Sequence, residues 1–439
     1  VLIKNVRIVT FDENNRLIEN GFIRTDKNLI SEIGSMAELK EGNEEESIDA
    51  AGKTLIPGFI CTHSHIYSAF ARGMIIPDSA PSDFLEILEK LWWRMDKKLT
   101  HEDIYYSAMI TLIDCIKNGV TCLFDHHAGP NSVDGSLEVI EKAYKDMNMR
   151  GTLCYEVSDR DGTEIADKGI RENSRFIKKA SSESDDMVKG IFGLHASFTL
   201  SDDTLRKASE EGNKLNSGFH IHAAEGKADY EKCMENYNMG VIERLNKFNI
   251  INSKTILAHC IHIKENEKDL LKLCNVVHNP ESNMNNAVGC CDVLSLLDRG
   301  ITVGLGSDGF NSNHFRAMDT CYVLHKHERK DPRVMSPYDV IKLGIINNGK
   351  IASKYFKNPV GAIKIGSKAD LILIDYDSPT PVTSSNIYGH MIFGMNSSMI
   401  SDTIINGKIV MKDRILLMVD EKEIMAKSRE ISKKLWERI

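Results

Sequence analysis

Residues 57–68 read PGFICTHSHIYS, and how this stretch is taken decides the fold. A Pro-Gly turn leads into a short apolar run, which ends on two histidines two residues apart. Along a strand, side chains at i and i+2 share one side and stand roughly 6.6 Å apart. His63 and His65 could therefore face one ion together, or simply be polar residues closing a strand. The pair alone does not decide between these readings, and the rest of the chain must.

Outward from this stretch, eight short apolar runs punctuate the middle of the chain: LIPGFICTH, VTCLFDHH, GTLCYEV, KGIFGLHA, SGFHIHAAE, KTILAHC, NVVHN and ITVGLGSD. Runs rich in Val, Ile, Leu and Phe without alternation are the mark of parallel strands buried on both faces. Helical patterns separate them, among others over 82–98, 100–118, 135–149 and 201–214. Thr100 with Asp103 forms a capping-box pattern, and Gly119 stands where a C-terminal cap belongs. Eight strand–helix repeats are the count for a (β/α)8 barrel. The runs end on His63 and His65, Asp125 with His126 and His127, Glu156, His195, His222, His259, His278 and Asp308. In such barrels the C-terminal strand ends meet at one face, where reactive groups gather. The chain has 15 histidines, and so many at strand ends is not what chance placement gives.

Both chain ends read differently. IKNVRIVTF and NGFIRTD near the start, and ADLILIDYD and SDTIINGKIVMKDR near the end, are β-rich. Asn406-Gly407 between two apolar runs is a strong hairpin signal. The expectation is a TIM-like barrel over 56–359, a composite β-sandwich domain from 1–55 and 360–415, and a docking helix over 416–439 with Ile424, Ile431 and Leu435 on one stripe.

Composition narrows the class. The 439 residues are 42% hydrophobic and 27% charged, ordinary for a globular protein able to bury a large core. A net charge of −8 argues against nucleic acid and anionic membrane surfaces as partners. Ten cysteines without a CxxC pair are expected to be reduced thiols of a cytoplasmic protein. No apolar run approaches the roughly 18 residues a spanning helix needs, and the alternating N-terminal sequence is unlike a signal peptide. Val1 is not expected to be the encoded start.

The strand ends suggest a donor set. His63 and His65, His222 on the fifth run and Asp308 on the eighth offer three nitrogens and one oxygen. That set suits one divalent ion, Zn(II) first and Fe(II) second, with a position left for water. Such an ion lowers the pKa of its water towards neutrality and supplies hydroxide as a nucleophile.

PGFICTHSH, HAAE, LAHC, HNPESNMNN and GLGSDG, in this order, resemble the motifs of the metal-dependent amidohydrolase superfamily, in its deaminase and chlorohydrolase branch. The resemblance covers nearly the whole chain. LWWRMDK, DHHAGP, HIHAAE, SNMNNAVG and GHMIFGMN further resemble one aminohydrolase subgroup of that branch. The resemblance implies His63, His65, His222 and Asp308 as metal ligands. It matches the family's H-x-x-E pattern to His222–Glu225, so that His220 is not a ligand. The fourth run ends GLHAS, without the lysine that binuclear relatives carry, which implies a single metal. SNMNN stands where relatives carry SNMKL.

Hydrolytic deamination needs a nucleophile, protonation of a ring nitrogen and protonation of the departing amine. Glu225 is placed to move a proton from water to the ring, and His259 to polarise the attacking oxygen. Asp308 is placed to pass the remaining proton to ammonia; the resemblance implies the same three roles. Candidate substrate contacts are Arg72, Trp93, His127 and His195, the last matching a family histidine near the substrate. Arg72 either reaches a substrate carbonyl or pairs with an acid, and Trp93 offers a stacking face. Helix core is the favoured reading for Trp92; of His126 and His127, one is expected to face the site. His278 and Asn283 are read as groups supporting it.

The expected protein is thus an aminohydrolase releasing ammonia from a purine-like or other nitrogen heterocycle. Rival readings keep the machinery but change the leaving group, to chloride or a ring amide, or place a lyase or isomerase on the same barrel. An inactive metal-binding scaffold is the remaining alternative. The expected partner is a small-molecule substrate, and the resemblance implies a homodimer or higher homo-oligomer.

Overall fold

The eight apolar runs become parallel strands because neither of their faces meets water. In the computed structural model, which describes residues 1–40, 42, 46–76 and 79–439, they are Phe59–Ser64, Val120–His127, Arg150–Tyr155, Val188–Gly190 continued by Phe192–Ala196, Phe219–Ala223, Ile256–His259, Asn275–His278 and Thr302–Leu305. Of their residues only Lys189, Gly190 and Thr302 are not buried. The fourth run is interrupted at Ile191: its first part pairs with the third strand and its second with the fifth. Ile191 N–H bridges the break by donating to Leu153 O at 3.1 Å.

Closure between the first and eighth strands uses few ladder bonds. His63 O accepts from the backbone N–H of Ser307 and of Asp308, both at 3.0 Å, and Ser64 bridges Asp308. Asn348 ties the seam: its amide donates to Ile60 O at 2.6 Å and Leu305 O at 2.8 Å, and its oxygen accepts from Leu305 N–H. Gly306 leaves room for this approach, since a Cβ there would lie 2.4 Å from Asn279 Oδ1 and 2.9 Å from His63 O. Gly58, in the opening stretch, would place a Cβ 2.2 Å from Thr121 Cγ2.

Helices cover the barrel. His101–Lys117 starts with the expected capping box, Thr100 accepting from Asp103 N–H while Asp103 accepts from Thr100 N–H at 2.7 Å. The stretch expected to be helical over 82–98 is shorter and interrupted: Phe84–Ile87, a π turn over Leu88–Trp92, then Trp93–Asp96. π turns are widened turns that recur at functional sites, and this one lies beside the barrel mouth.

Both chain ends join one nine-stranded sheet. Its order runs Ile415–Leu416, Lys408–Lys412, Ile400–Ile405, Leu371–Ile374, Thr54–Pro57, Leu2–Val9, Leu17–Asp26 and Leu29–Ser35, with Ser47–Asp49 also pairing with Leu2–Val9. Ile3, Ile8, Ile23, Leu55, Leu371 and Ile404 give this sheet its own core. The helix Glu421–Trp436 follows, with Ile431 and Leu435 buried, and Lys117 pairs with Glu421 at 2.5 Å. All ten cysteines are unpaired, and no helix among the described residues is long and apolar enough to cross a membrane.

Barrel and sheet are joined by a buried ion pair. Arg150, opening the third barrel strand, donates to both oxygens of Asp370 at 2.5 and 3.2 Å and to Asp186 O at 2.7 Å. Asp370 also accepts from Asn406 N–H at 2.7 Å, which pins the Asn-Gly hairpin. Removing one partner leaves an uncompensated buried charge, at a cost of about 3–5 kcal/mol. Asp370→Ala is therefore expected to lower unfolding stability by that amount in chemical denaturation, whereas truncating the exposed Lys364–Glu13 pair is expected to leave it nearly unchanged.

Candidate metal centre and active site

Strand ends position the reactive groups, and the backbone turns sharply to aim two of them. His259 and Asp308 adopt positive φ, at 73° and 53°. Such conformations are uncommon for residues other than glycine and cluster at functional sites. The turn at Asp308 brings its Oδ1 to 3.1 Å from His65 Nε2 and 3.4 Å from His63 Nε2, while Ser282 Oγ donates to its Oδ2. His65 Nε2 and His222 Nε2 are 3.1 Å apart.

Each imidazole is oriented from behind. His65 Nδ1 donates to His126 O at 2.6 Å and His222 Nδ1 to His195 O at 2.8 Å, which leaves both Nε2 atoms free as donors to an ion. His63 Nδ1 shares a hydrogen bond with His220 Nε2 at 2.8 Å, and His63 Nε2 is buried with no hydrogen-bond partner. His220 therefore stands behind His63 and holds it. His259 Nδ1 donates to Asn283 Oδ1 at 2.7 Å, turning Nε2 to within 3.5 Å of Glu225 Oε2. Asn283 is thus a supporting group, as read from the sequence.

This crowd of nitrogens fits a divalent cation. Donor atoms of His63, His222, His259 and Asp308 lie within 4.8 Å of one another, with His65 against two of them. A second set, His65, His126, Glu156 and His222, meets the same limit and shares two residues with the four expected ligands. The imidazoles and Asp308 match the nitrogen-and-oxygen preference of zinc-like ions.

Burial sets the charges. It lowers His63 to about 3 and His222 well below the usual histidine value, so both are neutral and able to bind metal. It also opposes protonation of His65, but the hydrogen bond to Asp308 outweighs it and raises His65 to about 9. Burial would raise Asp308, yet the imidazoles of His63 and His65 beside it hold it well below the usual carboxylate range. Glu225 goes the other way: burial, then the Asp308 charge, push it well above that range, and its Oε1 has no hydrogen-bond partner.

Above these groups opens a cleft continuous with solvent, lined by both polar and aromatic side chains. One wall is polar: Glu156 faces His195 at 3.7 Å, and Asp96, pushed up to about 7 by burial, pairs with Arg160. Trp92, Trp93, Phe84, Phe198 and Phe310 add aromatic faces to the lining. Trp93 meets His195 edge-on at 6.0 Å, under the Arg160 guanidinium at 5.4 Å.

Four sequence expectations are placed differently. Arg72 is absent from the cleft wall: the 3-10 turn Ile66–Ala71 carries it outward, where it pairs with Asp114 at 2.6 Å with its side chain 47% exposed. His127 is also absent from that wall, fully buried between Tyr67 and Tyr155, each ring 6.1 Å away. Successive strand residues point to opposite sides, so it is His126 that faces inward, with its Nδ1 3.2 Å from Glu156. Trp92 lines the cleft instead of filling a helix core, because the π turn sits in that wall. His278 turns away to His325, ring to ring at 5.1 Å. Trp93 and His195 line the cleft. Sequence reasoning missed Asp96, Arg160 and Ser282; the tract LWWRMDK held Asp96, but no spacing rule marks it.

The amidohydrolase family model matches residues 54–410, and the chain belongs to that family. It is a hydrolase acting on carbon–nitrogen bonds other than peptide bonds. It is 30% identical over 442 residues to a 5-methylthioadenosine/S-adenosylhomocysteine deaminase of Syntrophomonas wolfei, covering 99% of both chains. It is 31% identical over 448 residues to a 5'-deoxyadenosine deaminase of Methanobrevibacter smithii, covering 100% of this chain and 98% of that one. Among solved structures it resembles an adenosine deaminase from Xanthomonas campestris with bound zinc, at a TM-score of 0.88 and 18% identity over 99% of this chain and 98% of that one.

Metal content separates the two overlapping donor sets. His63→Ala and Asp308→Ala are expected to lose the barrel-mouth ion by elemental analysis, while Glu156→Gln retains it; the reverse pattern would assign the ion to the second set.

Proposed function

We propose that this chain hydrolytically deaminates a purine-like heterocycle, with an adenine-type amine as the group released. Support comes from the deaminase relatives together with one observation: Glu225, driven towards its protonated form, lies 3.5 Å from His259 beside the donor cluster. We further propose His63, His65, His222 and Asp308 as the ligands of a single zinc ion. When bound, that ion would supply the Lewis acidity that activates water at neutral pH.

The chain's own groups then handle the protons. Glu225, protonated at rest, gives its proton to the ring nitrogen beside the reacting carbon and recovers one from the attacking water. His259 Nε2, its lone pair left free because Nδ1 donates to Asn283, accepts a hydrogen bond from the attacking water and polarises it. Asp308 takes the second proton and passes it to the amine, which leaves as ammonia while the ring retains the oxygen. Both protons of water are accounted for, and neither carboxylate ends the cycle changed. Trp93 and its neighbours offer planar faces for the ring, and Glu156 with His195 offers a polar edge.

The same footing holds for a barrel at 56–359, a composite β unit at 1–55 and 360–415 and a docking helix at 416–439. It also holds for a cytoplasmic location and a homo-oligomeric state.

An ammonia-release screen over adenosine, 5'-deoxyadenosine, 5'-methylthioadenosine, aminopurines, pterins and triazines tests the reading. Ammonia from a purine, with solvent oxygen in the product, is the expected result; chloride release alone, or a product without solvent oxygen, would overturn it. Glu225→Gln is expected to keep its ion and lose roughly 10²–10⁴-fold in kcat. Trp93→Ala is expected to raise KM several-fold, while Arg72→Ala leaves kcat and KM unchanged.

A further inference from the structure

We propose a second metal site in this chain, a structural zinc centre formed by His278, Cys321 and His325, away from the barrel mouth. Donor atoms of the three lie within 4.8 Å of one another, and all three residues are buried. Cys321 and His325 are four residues apart on the helix His314–Arg329, so they project from one face of it. His278 ends the seventh barrel strand and meets that face, its ring 5.1 Å from His325.

A second observation points to a ligand. Both nitrogens of His278 and the Nε2 of His325 are buried without a hydrogen-bond partner. Folded proteins pair nearly all their buried polar groups, and three orphaned imidazole nitrogens facing a thiol are what an ion would satisfy together. Cys290 Sγ lies 3.8 Å from His325 Nδ1, the other nitrogen of that ring. Two imidazoles with one thiol make three donors of a zinc set, at bond lengths of about 2.0–2.3 Å.

The location gives the site a task. The helix Pro280–Asn285 begins two residues after His278 and carries Asn283, which holds His259. An ion bridging His278 to the outer helix anchors the start of that segment. The inference does not rest on the proposed reaction.

Cobalt substitution tests it, because none of the proposed barrel-mouth ligands is a thiol. Metal-depleted full-length protein loaded with Co(II) is expected to bind two equivalents and to show a near-ultraviolet thiolate charge-transfer band. Cys321→Ser and His325→Gln are each expected to bind one equivalent, lose the band and keep the visible absorption of the mouth site. His325→Gln retains every thiol and carries the test if Cys321→Ser does not fold. The proposal is overturned if wild type shows no charge-transfer band at saturating Co(II), or if either folded variant keeps the second equivalent.

Discussion

The site depends on one seam, where the eighth barrel strand meets the first. There the Asp308 carboxylate comes within 3.4 Å of His63 and His65, far from it in sequence. The seam has little strand ladder, so it is held by other means: the Ser307 and Asp308 amides on His63 O, the Asn348 side chain across Ile60 and Leu305, and a glycine at 306 that lets the backbones touch. The left-handed turn at Asp308 is the consequence. It costs conformational energy, and it aims the carboxylate at His63 and His65.

Given that seam, burial assigns the charges. Several imidazoles crowd one small volume, where protonating them all is prohibitive, so His63 and His222 stay neutral while His65, beside Asp308, is the exception. Carboxylates in the same pocket are driven apart. Asp308 and Glu156 are held low, each overcoming its own burial through histidine partners, while Glu225 lacks enough such partners and is driven up. Separated carboxyl groups of this kind mark out acid, base and ligand roles. The division needs no unusual residue, only different neighbours.

Much of this was legible in the sequence, for a physical reason. Strands buried on both faces must be apolar throughout, so the polar residues that end them stand out, and His63, His65, His222, His259 and Asp308 were all found that way. The hairpin at Asn406-Gly407 and the cap at Thr100 are local chemistry and could be read locally. Side-chain direction was less legible. His126 and His127 are adjacent, and only the strand's registration against its neighbours decides which faces inward. Trp92 faces the cleft because a π turn interrupts its helix, and helical periodicity cannot anticipate that turn. Arg72 leaves the site with the turn that follows His65, and Asn348 works across a seam that exists only after closure.

Anomalous diffraction from crystals of the zinc-loaded protein, collected across the zinc edge, tests the central claim most directly. The expected result is a barrel-mouth peak bounded by His63 Nε2, His65 Nε2, His222 Nε2 and an Asp308 oxygen, with Glu225 beside it and unbound. A peak among His126, Glu156 and His222, or no peak in the barrel mouth at full zinc loading, would contradict it.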